Sequence, residues 1–267
     1  MDIGVAPLSS RALVRVSGPD WRLFLQGLLT QDVETLAPGE LRFAALLTPQ
    51  GKLLFDLFVL QDGESALLDV AADRREALIQ RLSMYRLRAK VEIAADDGGV
   101  WAAWPDVSRG WLADPRLTVL GGRAYGAAPC AGSATEADYQ AWRLSLGVPD
   151  PAADCQPDRT YPIEADFDLL NAIDFHKGCF VGQETTSRMK RRGQIKTRTL
   201  PIVFDGPAPA FGAEVLTADE LRAGEVLSGG DGRAMALLRL DRIEGAELSV
   251  ESRPVRVERP AWFDPQD

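Results

Sequence analysis

The chain reads as an α+β region followed by a small all-β unit, and three observations predict it. Over the first 150 residues or so, apolar runs of strand length alternate with three helical patterns. Pro and Gly then cluster in Asp205-Gly206-Pro207-Ala208-Pro209, a boundary by composition. Beyond it, short apolar runs punctuated by Gly fit a small antiparallel barrel.

The elements follow in order. Residues 13–16 read as a strand. Ser17, with Asp20 three positions on, gives a start signal of capping-box type. Trp21, Phe24, Leu25, Leu28 and Leu29 recur at i, i+3, i+4, i+7 and i+8, one apolar face of a helix. Runs 41–47 and 53–60 flank Thr48-Pro49-Gln50-Gly51-Lys52 and predict a hairpin. A strand at 65–70, a helix at 73–82 with Leu78, Ile79 and Leu82 on one side, and a strand at 88–93 complete an α+β layer. A short strand at 101–104 lies between loops at 96–99 and 105–115. Thr135 with Asp138 opens a second clear helix, ended by Gly147 and Pro149, and 147–158 is an acidic loop. The final strands fall at 214–216, 224–228, 233–240, 248–250 and 253–258. This divides the chain into 1–198 and 199–267.

Composition excludes several classes. With 267 residues, 46% hydrophobic and 26% charged, the protein is globular. Met1-Asp2-Ile3-Gly4 opens on an acid, and no following apolar run suits a signal peptide or membrane span, so the expected location is cytoplasmic. Cys130, Cys155 and Cys179 are widely spaced without a C-x-x-C, and His176 is the only histidine. No disulfide framework, zinc site or local iron–sulfur ligand set is expected, and so no intrinsic metal. A net charge of −9 opposes general nucleic-acid affinity.

Against that acidic background one segment stands out. Lys177, Arg188, Lys190, Arg191, Arg192, Lys196 and Arg198 face a single acid, Glu184, between His176 and Arg198. At its head Cys179 lies near Gly178 and Gly182, which allow sharp turns on either side of the sulfur. Nearby cations favour the thiolate, the nucleophilic and metal-binding form. The basic residues read equally as a solvated helix end complementing the macrodipole, or as a site for an anionic ligand or partner.

Lys177-Gly178-Cys179-Phe180-Val181-Gly182-Gln183-Glu184 resembles, at every position, the K-G-C-[FY]-x-G-Q-E signature of the YgfZ-type folate-binding proteins. These are relatives of the glycine-cleavage T-protein, an aminomethyltransferase, and of a mitochondrial iron–sulfur assembly factor. Residues 16–20, 24–33, 47–52, 84–91 and 162–166 are similar to the same family. The resemblance implies three subdomains around a central folate channel, the last a β-barrel. It also implies a tetrahydrofolate-binding accessory protein for assembly or repair of iron–sulfur clusters, indirectly supporting tRNA modification. Its expected partners are folate and assembly proteins or client enzymes, with no membrane.

On that reading Cys179 is the essential residue, His176 and Lys177 lower its pKa and Gln183 orients what it contacts. Glu164 accepts two hydrogen bonds from the pterin edge, or is an ordinary acid at a helix start. Tyr85, Arg86 and Arg88 are further lining candidates, and Arg188 and its basic neighbours meet the glutamate tail. The T-protein carries adjacent aspartates where this chain has Phe55-Asp56, so aminomethyl transfer is not carried over, and Asp56 either touches folate or is a plain strand carboxylate. The alternatives are a folate-dependent aminomethyltransferase or demethylating enzyme relying on Asp56, and a tRNA-binding module at 190–198.

Overall fold

The computed structural model describes residues 3–105, 110–192 and 195–263; Met1, Asp2, positions 106–109 of the expected loop and the side chain of Arg192 lie outside the described residues. Five antiparallel strands build the first layer: β2 (Arg11–Ser17), β3 (Leu41–Leu47), β4 (Leu53–Asp62), β5 (Ser65–Ala71) and β6 (Glu92–Asp96), in the order β3-β4-β5-β2-β6. The expected hairpin joins β3 to β4, closed by Thr48 N–H to the Lys52 carbonyl at 2.8 Å and by Gly51 at φ +80°.

Alternate residues of β3 enter two different cores, as the period of two requires. Ala44 and Leu46 join Leu25, Leu28, Leu78 and Leu82 on one face; Phe43, Ala45 and Leu47 join Ile163, Phe167 and Phe180 on the other. Helices α1 (Trp21–Gln26) and α2 (Arg75–Arg86) cover the first face. The irregular stretch 162–182, which holds the cysteine motif, covers the second.

A four-stranded sheet, β1 (Gly4–Pro7), β7 (Gly99–Trp104), β8 (Leu112–Ala113) and β9 (Gly122–Gly126), runs in the order β1-β7-β9-β8. Helix α3 (Glu136–Ser145) carries the expected capping box, with Thr135 and Asp138 bonding reciprocally, and Gly147 at φ +67° follows its end. The acidic loop contains a short helix, α4 (Pro151–Asp154). After α5 (Gln183–Arg192) six strands close a barrel in the order β10-β13-β12-β11-β14-β15: β10 (Thr197–Val203), β11 (Glu214–Thr217), β12 (Arg222–Gly230), β13 (Arg233–Arg239), β14 (Leu248–Val250) and β15 (Arg253–Val257), with α6 (Leu240–Ile243) after β13. The expected division after residue 198 falls inside β10.

Four local expectations are corrected. The barrel has a sixth strand, β10, which the basic segment disguises. Helix α1 stops at Gln26, because Leu29 instead bridges to Leu46 at the edge of β3. No side-chain cap forms at α1: the Asp20 carboxylate accepts the Lys90 N–H at 2.7 Å. Strand β6 begins at Glu92 rather than 88, since α2 runs on to Arg86 and Leu87, at φ 40°, breaks it.

A tethered thiol and a buried ion cluster

Cys179 is exposed on the loop entering α5. The preceding residues are stitched to the segment after α1. Thr30 Oγ1 donates to the Ala172 carbonyl at 2.6 Å and accepts the Ala45 N–H at 2.7 Å, while its carbonyl accepts the Asp174 N–H at 3.0 Å. Gln31 Nε2 donates to the Asn171 carbonyl at 2.8 Å. Asp174 Oδ1 then accepts the N–H groups of both His176 and Lys177.

Lys177 is buried, and its ammonium donates to the carbonyls of Gln26, Leu29 and Gln31 at 2.8, 2.6 and 2.9 Å. An ammonium has three protons, so none remains for the thiol. Lys177 thus positions the backbone before the cysteine and makes no hydrogen bond to the thiol itself. Burial pulls its pKa down to about 8, against the opposing pull of Asp32, Asp174 and Glu34. Phe180 anchors the far side of the cysteine in the second core, with the Lys177 ammonium 5.4 Å from its ring centroid.

The two motif glycines differ. Gly182 has φ +82°, and a Cβ there would meet the Thr48 carbonyl oxygen at 2.6 Å and Gly51 Cα at 3.0 Å. The hairpin turn and the start of α5 touch through backbone, so only glycine fits. Gly178 has no such φ and open space around it, so conformation does not require glycine there.

On α5, Glu184, Arg188 and Arg191 are exposed at i, i+4 and i+7, Gln183 is half-buried at its start, and Lys196 is exposed beyond it. Arg198 does not belong to this basic surface: fully buried, it binds Asp168 at 2.5 Å, Asp166 at 3.2 Å and the Ile163 carbonyl. Burial pushes the Asp166 carboxyl well above the usual range although Arg198 opposes it.

The residues expected to hold folate each have their own surroundings. Glu164 accepts the N–H of Tyr161 at 3.0 Å, three residues back in its own turn. Tyr85 packs against the first core, and Arg86 is exposed at the end of α2. Asp56 is buried in an ion pair with Arg11 at 2.8 Å. Arg11 also binds Asp69, which binds Arg123, and Arg123 approaches Asp114, which binds Arg116. Three guanidiniums and three carboxylates thus neutralise one another between the two sheets. Burial alone would raise the Asp114 carboxyl, but Arg116 and Arg123 hold it below its ordinary value.

Beside this cluster, a cavity of about 1080 Å³ opens where the sheets and barrel meet, lined by Arg11, Gln140, Leu144, Ala152 and Ser228 among others. None of Glu164, Tyr85, Arg86 or Arg188 lines it. Cys155, half-buried near Asp56, is pushed well above the ordinary thiol range by burial and by Asp154. Among the described residues no three His, Cys, Asp or Glu side chains group as a metal site, and no helix is long and apolar enough to cross a membrane.

Comparison with known proteins locates this architecture. The family described as CAF17, C-terminal beta-barrel domain, matches residues 196–265. The glycine cleavage system aminomethyltransferase T of Bartonella henselae superposes with a TM-score of 0.78 over 98% of this chain and 86% of its own at 20% identity, which shows the three-part aminomethyltransferase-like fold. The iron-sulfur cluster assembly factor IBA57, mitochondrial, of Mus musculus is 30% identical over 89% of this chain and 78% of its own length; that of Homo sapiens is 31% identical with the same coverage. The Neurospora crassa homologue is 30% identical over 79% of this chain, which spans only 56% of that longer relative. The mitochondrial description of these relatives overturns the expected cytoplasmic location. The chain belongs to the family of IBA57 iron–sulfur cluster assembly factors.

Proposed function

We propose that this protein is an accessory factor of YgfZ type for assembly or repair of iron–sulfur clusters, working through Cys179 with assembly proteins or client enzymes. The supporting observation is an exposed thiol on a loop fixed from both sides, by Lys177 and Thr30 before it and by Phe180 and Gly182 after it. A lone thiol does not complete a cluster's ligand set, so Cys179 acts on a cluster, a sulfur species or a thiol that a partner brings. The exposed Arg188 and Arg191 on the following helix favour an anionic partner surface. The test is rescue of cells lacking their own factor. Cys179→Ala should leave cluster-dependent enzymes inactive, including those of tRNA thiolation, while Cys130→Ala should restore them. Full rescue by Cys179→Ala would remove the proposal.

A second reading keeps tetrahydrofolate as a ligand but moves it. The 1080 Å³ cavity is large enough for a folate and mostly apolar-walled, as ligand sites usually are. Ser228 Oγ, buried without a partner, lies on its wall, as does Asp150. Arg11 and Arg143 also line it, but both are committed to internal partners. Calorimetric titration with tetrahydrofolate should show one site, weakened by Ser228→Leu and unaffected by Glu164→Ala. The opposite pattern would return the pterin to Glu164. Neither the aminomethyltransferase nor the tRNA alternative gains support, since Asp56 is ion-paired and Arg198 is buried.

A further inference from the structure

We propose that the outward faces of α1 and α2 form a docking surface for a protein partner whose own contact face is apolar with an acidic rim. That this partner belongs to cluster assembly rests on the function proposed above; the surface itself does not.

The side chains that carry it point away from a satisfied core. Leu78 and Leu82 bury the inner face of α2, whereas Met84 is 69% and Leu87 88% exposed, and Leu23 on α1 is 70% exposed. Met84 in the last turn of α2 and Leu87 just past its end are both exposed. Leu87 has φ 40° and ψ −102°. A bulky non-glycine residue at positive φ is an outlier, and such strain gathers at functional positions. Here it holds a leucine out in water at the helix end.

The rim is basic in an acidic protein. Arg86, Arg88 and Lys90 are exposed and make no ion pair among the described residues, in a chain of net charge −9. Free cations around an apolar ridge complement carboxylates around an apolar patch, which steers encounter and fixes register. A bilayer also offers apolar and anionic groups, but the chain's overall charge repels an anionic membrane.

The surface is mechanically joined to the thiol. Asp20, before α1, accepts the Lys90 N–H, and the Gln26 and Leu29 carbonyls at its other end accept Lys177 Nζ. The six-residue helix between them is about 9 Å long. A partner covering a standard ~800 Å² per side is wide enough to span both.

The experiment uses the full chain in cells lacking their own factor. It compares Leu87→Ser and the double variant Arg86→Glu/Arg88→Glu with Phe211→Ser, an exposed apolar control on the barrel, and with Cys179→Ala. Both surface variants should lower cluster-enzyme activity about tenfold, the effect of about 1.4 kcal/mol of lost binding, with unchanged unfolding midpoints and no change for Phe211→Ser. Wild-type activity in both overturns the proposal, whatever Cys179→Ala does. Loss in the surface variants with full activity in Cys179→Ala keeps the surface and removes the thiol's role. Purified protein is also sedimented with phosphatidylcholine vesicles containing phosphatidylserine and measured by light scattering. Vesicle binding or self-association that the surface variants abolish would assign the surface to a membrane or a second copy and overturn the proposal.

Discussion

The Cys179 loop and the Arg–Asp cluster between the sheets use charged residues in opposite ways. Around the thiol one buried ammonium, Lys177, satisfies three backbone carbonyls and fixes an irregular segment while the sulfur stays in water. Between the sheets Arg11, Arg116 and Arg123 are matched by Asp56, Asp69 and Asp114, and no charge is left over. The first arrangement displays a thiol; the second turns buried charges beside a cavity into structure. A basic or acidic residue in a motif therefore says little until its partner is known.

Breaking the ion cluster should have the largest effect. Asp69 accepts from Arg11, Arg123 and Tyr125, so Asp69→Asn leaves buried guanidiniums uncompensated. A loss of about 3–5 kcal/mol is expected in denaturant unfolding, with the Cys179 loop unchanged. Gly182→Ala comes next. Its Cβ would press on the Thr48 carbonyl from a left-handed backbone, and a destabilisation of about 1–3 kcal/mol follows from the strain alone. Unaltered stability would show that the turn–loop contact is looser than described.

Lys177→Met should cost about 1.5–3 kcal/mol, the range for hydrogen bonds to a charged group. Hydrogen exchange should quicken at residues 172–177, not in the sheets. The same residue makes the most specific prediction. Its folded pKa is near 8 against the ordinary 10.5, so between these values the unfolded chain holds more protons. The group's contribution to unfolding free energy should therefore rise with pH from about 8 to about 10.5. Wild type should show this rise in its urea midpoint relative to Lys177→Met; parallel pH profiles would contradict the burial of the ammonium.

The sequence carried the hairpin, α3 with its capping box and most barrel strands because each has a local signal: a Pro-Gly turn, a Thr-x-x-Asp start or alternating apolar residues. Strand β10 was hidden because its apolar residues follow directly on a basic helix. The cysteine motif was visible as a motif, but not the roles inside it. Lys177 looked like a cation for the thiol because sequence places them two apart, whereas its contacts are about 150 positions away. Thr30 and Gln31, the anchors of the loop, sat in a stretch noted for its family resemblance and carried no signal of their own beyond that. The resemblance groups Glu164, Arg86, Asp56 and Arg188, yet Asp56 is taken by Arg11 and Glu164 by its own turn.

The fold holds Cys179 out in water while keeping its neighbours fixed. Labelling native protein with a maleimide and reading each cysteine by peptide mass spectrometry tests it directly. Cys179 should react without denaturant as fast as in the unfolded chain, and Cys155 only when the protein opens. Protection of Cys179 in the native protein, with Cys155 labelled first, would contradict the account.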